Sequence, residues 1–186
     1  MSDFNIRKNP LKIAIVGPQK VGKTVISNSL SEFSTTVSPD YHPTIGCRIL
    51  ELEKPYTDEQ VANIPILKNN KLNKVKVELW DTSGDRRFES TWPAIKYGAN
   101  GVIIVIDATN EKYEDNIDEW MNNFCNEVNQ DNVTCFSYKK DDAKGVIKAK
   151  QSRQFPKMQI CEVNNSMDSL IPNFNKFITQ LLLKLH

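Results

Sequence analysis

The chain has 186 residues, 39% apolar and 25% charged, with a net charge of +1. That length suits one domain of ordinary size, and the balanced charge lacks the basic field of a nucleic-acid binder, so no nucleic-acid partner is expected. There is no apolar signal core after Met1, no glycine at position 2, no apolar run near the roughly 20 residues that span a bilayer, and no cysteine near the end to prenylate, so a soluble intracellular protein without a direct membrane anchor is expected.

Lys12–Val16 is a short apolar run that stops at Gly17 and reads as a buried strand. Thr24–Phe33 spaces Val25, Ile26, Leu30 and Phe33 as a helix does, and Ser34–His42 is polar and turn-rich, a mobile loop. Arg48–Glu53 and Lys74–Asp81 alternate as strands. The second sets Val75, Val77 and Leu79 on one face and Lys76, Glu78 and Trp80 on the other. Between them, Lys54–Asn73 holds two prolines and four asparagines. It far exceeds the roughly 2–5 residues of a hairpin loop, so it reads as an insertion, either solvated or used for contact. Gly101–Asp107 is the most hydrophobic stretch, a strand buried on both faces. Asp115–Asn129 has helical spacing through Ile117, Trp120, Met121, Phe124 and Val128, and Val133–Tyr138 and Met158–Val163 are further strands. A last helix runs from about Ser169 to Leu185 on an inner face of Leu170, Phe174, Phe177, Ile178, Leu181 and Leu182. Strands alternating with helices predict an α/β fold, a mostly parallel sheet with helices on both faces, formed by residues 1–186 as a single domain. Cys47, Cys125, Cys135 and Cys161 show no paired spacing and read as free thiols in a reducing compartment.

Three motifs carry chemistry. Gly17-Pro18-Gln19-Lys20-Val21-Gly22-Lys23-Thr24 matches G-x4-G-K-[ST] between a strand and a helix. Its glycines let backbone N–H groups fold around a β-phosphate at a helix start. Lys23 brings an ammonium to the β- and γ-phosphate oxygens, and the Thr24 hydroxyl is a hard ligand for Mg²⁺. Asp81-Thr82-Ser83-Gly84 ends a strand, placing Asp81 to hold a Mg²⁺-bound water and the Gly84 N–H to reach a γ-phosphate. In Pro43-Thr44-Ile45-Gly46, Thr44 completes the metal shell when a γ-phosphate is present.

A phosphate loop, then this Pro-Thr-Ile-Gly, then Trp80-Asp81-Thr82-Ser83-Gly84-Asp85 resembles the order in Ras-like small GTPases, nearest the Rab branch. Thr44–Glu53 and Glu78–Ala94 are similar to the Rab-like GTPase subunits of the intraflagellar transport B particle, and the similarity covers most of the chain. The resemblance implies a Ras-like P-loop domain with GTP (or GDP) and Mg²⁺ as cofactors. The nucleotide-binding residues would be Lys20, Val21, Gly22, Lys23, Thr24, Val25, Thr44, Gly84, Lys139 and Asp141, and the metal ligands Thr24, Thr44 and Asp81. It also implies paired coiled-coil subunits of that particle as partners, and a place in the cytoplasm and in the cilium or flagellum and its base.

The departures matter as much. Gln19 stands where active Ras proteins carry glycine, and Asp85 where they carry the glutamine that orients the attacking water. Aspartate is shorter, lacks an N–H donor and adds negative charge beside an anionic phosphate, so hydrolysis should be weak and no catalytic residue is assigned. In Tyr138-Lys139-Lys140-Asp141, Lys139 can cover the base and Asp141 can read guanine, but Tyr138 replaces the family's asparagine brace. A solvated charged turn at Lys139–Asp142 is the other reading, and the element after the last strand is degraded to Asn164-Asn165-Ser166. Trp120 reads as core, Trp92 and Phe88 as core or partner contacts, and His42 and His186 take no metal role. The leading expectation is a nucleotide-dependent docking module, with a cycling GTPase that needs an activating partner as the alternative. A P-loop kinase would need clustered arginines, and the five here form no cluster.

Overall fold

The apolar run that opens the chain is strand β1 (Leu11–Val16), buried on both faces. The computed structural model describes residues 5–31, 42–139, 149–150, 152–163 and 168–185. Its other strands are β2 (Cys47–Pro55), β3 (Lys74–Thr82), β4 (Gly101–Ile106), β5 (Val133–Tyr138) and β6 (Gln159–Val163). They form one sheet in the order β2-β3-β1-β4-β5-β6, with β2 antiparallel to β3 and the remaining pairs parallel. The fold is thus the mostly parallel, Ras-like sheet that the sequence predicts.

Period-two alternation sorts the strands between two cores. Leu11, Ile13 and Ile15 of β1 and Ile103 and Val105 of β4 face helices α1 (Lys23–Leu30) and α6 (Leu170–Lys184). Ala14, Val16, Val102, Ile104 and Ile106 face α4 (Trp92–Lys96) and α5 (Tyr113–Asn123). The six apolar residues expected on the inner face of the last helix are all buried. Taking each of these from water contributes about 1.5–3 kcal/mol.

Residues 54–73 differ from the solvated or contact-making insertion expected of them. They fold into α2 (Asp58–Asn63) and α3 (Pro65–Asn70). A capping box starts α2: the Gln60 N–H donates to Thr57 Oγ1 at 3.3 Å and the Thr57 N–H to Gln60 Oε1 at 3.0 Å. Pro65 opens α3, where its missing N–H costs nothing. Tyr56, Ile64, Ile66 and Leu67 enter the same core as α1 and α6. The Asn- and Pro-rich composition marks helix ends here, and the four buried side chains outweigh it.

Phe33, most of the expected loop at Ser34–His42, Lys140, Asp141 and Asn164–Ser166 lie outside the described residues. Helix α5 stops at Asn123, before the expected Asn129, though Phe124 and Cys125 beyond it stay buried. Among the described residues, no helix is long and apolar enough to cross a membrane.

Candidate functional site

β1 and β4 lie side by side, and the chain leaves them toward opposite edges of the sheet. A crevice opens at such a point, beyond the carboxyl ends of the strands. The loop Gly17–Gly22 lies there, between β1 and α1. Gly22 has φ 97°, and a β-carbon on it would come within 2.7 Å of the Tyr138 ring. Tyr138 is 3% exposed, so where the family carries a hydrogen-bonding asparagine this chain packs an aromatic ring against the phosphate loop. Lys20 holds φ 64° without being glycine, a left-handed conformation that costs about 1–2 kcal/mol and collects at functional turns. Gly22 gives α1 no side-chain cap and the first turn holds no acid, which suits an anion at that end.

Lys23 is buried, its Nζ donating to the Gly17 carbonyl at 2.8 Å and the Pro18 carbonyl at 2.5 Å. Burial lowers its pKa to about 8, and Asp81 opposes that shift. The two carbonyls hold the ammonium at the rim of the loop, where a phosphate would meet it.

Thr24, Thr44 and Asp81 converge, as the sequence predicts for metal ligands. The threonine hydroxyls are 3.0 Å apart, and Thr24 Oγ1 donates to Asp81 Oδ2 at 2.9 Å and Thr44 Oγ1 at 3.4 Å. Asp81 is fully buried. Burial pushes its pKa up, against the Thr24 hydroxyl, Arg48 and Lys23. Its Oδ1 is buried with no hydrogen-bond partner. An orphaned anionic oxygen beside two hydroxyls calls for a hard cation or the water on one. The donor set therefore fits Mg²⁺. Among the described residues, no group of three or more His, Cys, Asp or Glu offers a different metal centre.

Gly84 lies against the phosphate loop: a β-carbon there would be 2.5 Å from the Pro18 carbonyl carbon and 2.6 Å from the Gln19 nitrogen. The Ser83 N–H donates to the Gly46 carbonyl at 2.8 Å, joining the two motif segments. Asp85 next to them is already engaged. Its carboxylate accepts from the Arg87 N–H and Nε at 2.9 Å and Nη2 at 2.6 Å. These contacts hold Asp85 below its ordinary pKa.

Trp92 is core, which removes it as a partner contact. It is 3% exposed, with its ring centroid 4.9 Å from Trp120 and 5.5 Å from Phe124. The Arg86 guanidinium lies over it at 5.0 Å and pairs with Glu89 at 3.4 Å and with Glu119 of α5. Trp120 is core as expected, and Phe88 is half-buried. At the end expected to read the base, Lys139 is half-buried and its N–H donates to the Val163 carbonyl at 2.8 Å.

Three features escaped the sequence reading. Arg48 pairs with Asp81, Arg87 closes on Asp85, and Ile45 after Thr44 and Ile49 in β2 stand 79% and 52% exposed. Ile49 had a signal: it falls on the face of β2 that otherwise holds Glu51 and Glu53.

Comparison with known proteins bears on the family and the fold. The model of the Roc family (Ras of Complex, Roc, domain of DAPkinase) matches residues 12–141. An intraflagellar transport protein 22 homolog of Xenopus tropicalis is 40% identical over 113 residues, 61% of this chain and 55% of that protein. The Homo sapiens homolog is 38% identical over 124 residues, 67% of this chain and 61% of its own. Intraflagellar transport associated protein 2 of Caenorhabditis elegans is 32% identical over 151 residues, 70% of this chain and 59% of that protein. The chain thus spans little more than half the length of these relatives. A chain of the T. brucei IFT22/74/81 GTP-bound crystal structure superposes with a TM-score of 0.74 at 22% identity, covering 94% of this chain and 95% of that one. With the family model matched across both motif segments and the sheet of the expected topology, the chain is a Ras-like α/β domain that belongs to the Roc family.

Proposed function

We propose that this chain is a GTP-binding, Rab-like subunit of an intraflagellar transport B particle, a docking module governed by its nucleotide, with weak or no hydrolysis. The observation that carries the binding half is Asp81 Oδ1, buried without a partner beside the Thr24 and Thr44 hydroxyls. Lys20–Val25 would cradle the phosphates with the Lys23 ammonium, and Gly84 would meet the γ-phosphate. Thr24, Thr44 and Asp81 would hold Mg²⁺, which when bound neutralises phosphate charge. Lys139 would cover the base and Asp141 would read guanine. We take residues 1–186 as one such unit.

The names of the relatives support the transport-particle half, and the GTP-bound T. brucei assembly supports a partner among other subunits of that particle, which we read as the paired coiled-coil ones. That assignment carries with it the cytoplasm and the cilium or flagellum and its base, and docking on protein rather than membrane. Exposed Ile45, next to Thr44, and Ile49, further along in β2, offer apolar contact near where the nucleotide state is felt. Hydrolysis is weak on this reading because the Asp85 carboxylate is closed by Arg87 rather than open to a water.

The test is to release and identify the nucleotide carried by the purified protein, then measure affinity with and without Mg²⁺. GTP or GDP is expected, with Lys23→Ala losing thirtyfold or more in affinity, about 2–5 kcal/mol for one buried charge partner. ATP would remove Asp141 as the base reader, and unchanged affinity in Lys23→Ala would remove the phosphate site. Capture of the coiled-coil subunits should favour the triphosphate-loaded protein. Equal capture with diphosphate would leave a scaffold indifferent to nucleotide.

A further inference from the structure

Beside the proposed metal position lies a cation of the protein's own. Arg48, in β2, donates from Nε at 3.2 Å to Asp81 Oδ2, and its Nη2 lies 3.1 Å from the same oxygen. The same Nη2 donates to Asn28 Oδ1 of α1 at 2.8 Å. One side chain thus joins α1, β2 and β3, the elements around the metal position.

The two carboxylate oxygens are unequal. Oδ2 takes both hydroxyls and the guanidinium, while Oδ1 is buried and bare. A fully buried carboxylate without a counter-charge is strongly destabilising. In a site that relied on Mg²⁺ alone, removing the metal would leave that charge exposed to an apolar interior. Lys23 is the other cation facing Asp81, but its Nζ is held by two carbonyls of the phosphate loop. Arg48 is the one hydrogen-bonded to the carboxylate. Its planar guanidinium fork keeps direction.

We propose that Arg48 is a positioning residue that shares Asp81 with the metal, holding the Thr44-bearing segment onto the phosphate loop when Mg²⁺ is absent. The inference rests on the metal reading above. Two consequences follow from placing a positive charge on the same carboxylate. The metal binds less tightly, through like-charge repulsion and a neutralised ligand, and its loss disturbs the site less. Nucleotide retention is therefore less coupled to Mg²⁺ than in a site built on a free aspartate.

The test compares wild type with Arg48→Gln, which keeps hydrogen-bonding shape without charge, and Arg48→Lys, which keeps charge without the fork. Release of a fluorescent guanine nucleotide is timed in excess MgCl₂ and in EDTA. The ratio of the two rates should be at least about tenfold larger in Arg48→Gln than in wild type, with Arg48→Lys restoring much of the difference. Nucleotide-free protein is melted in the same two buffers. The wild-type midpoint should be indifferent to MgCl₂, while that of Arg48→Gln should be lower in EDTA and partly recover with the metal. Equal rate ratios in wild type and Arg48→Gln, or equal metal dependence of their midpoints, would overturn the proposal. If guanine nucleotide binds neither protein, the site reading fails, and the melting comparison still decides the role of Arg48.

Discussion

Replacing Leu67 by alanine tests whether residues 54–73 are part of the fold. Leu67 is 0% exposed and sits with Ile64, Ile66 and Tyr56 in the core that also holds α1 and α6. The change removes three carbons, worth about 2.4 kcal/mol at ~0.8 kcal/mol each. A cavity adds to that, since α3 is held by its neighbours and collapses only in part, so the expected loss is about 3 kcal/mol. For a chain of this size each kcal/mol moves Tm by about 2–4 °C. A fall of about 6–12 °C is therefore expected in a circular-dichroism melt, with an unchanged urea m-value. Nucleotide affinity should hold. β1 and β3 are parallel, the insertion enters β3 at its amino end, and the phosphate loop lies at the carboxyl end of β1. A fall below about 2 °C would mean that α3 is not docked and that the insertion is free for contact, as its composition suggests.

Two further outcomes test the second motif segment. Asp85→Gln frees Arg87 and restores an N–H donor, so single-turnover hydrolysis should rise at least about tenfold above a wild-type rate on the order of 10⁻⁴ s⁻¹ or less; an unchanged rate would show that Asp85 is not what restrains it. Trp92→Ala should cost about 3–5 kcal/mol of stability, as core truncations do. Trp92→Phe should cost far less, because it also removes the buried Trp92 Nε1 that lacks a partner. Normal stability in Trp92→Ala with lost partner capture would return Trp92 to the surface.

The sheet was legible because its strands announce themselves. β4 is a run of six buried residues, and β3 alternates cleanly between Val75, Val77, Leu79 and the polar face. The convergence of Thr24 and Asp81 was legible too, since one motif opens a helix and the other ends a strand, while Thr44 came from the Pro43–Gly46 segment before β2. What the sequence hid were contacts made by long side chains across elements. Arg48 reaches Asp81 and Asn28, 33 and 20 residues away in sequence, and no periodicity marks such a pair. The insertion misled because asparagine and proline read as loop signals, yet Pro65 starts a helix and Asn70 ends it. Trp92 was ambiguous because indole serves both interfaces and cores, and only its ring contacts with Trp120 and Phe124 decide which.

The hidden contacts share a direction. At three places the chain departs from the pattern of active Ras proteins, or adds to it, and each time the structure fills the place with a contact made by the protein itself. Tyr138 gives up the hydrogen-bonding brace and packs its ring against Gly22. Asp85 gives up the water-orienting residue and binds Arg87. Arg48 sets a fixed cation on the Asp81 carboxylate, the one we propose for the metal. Each exchange trades a contact that ligand or water must complete for one already complete in the folded chain. A cycling enzyme needs the former, because its switch segments must come loose when the γ-phosphate leaves. A docking module gains from the latter, since its surface persists between encounters. The three exchanges therefore favour retention over turnover on physical grounds that do not depend on the names of its relatives.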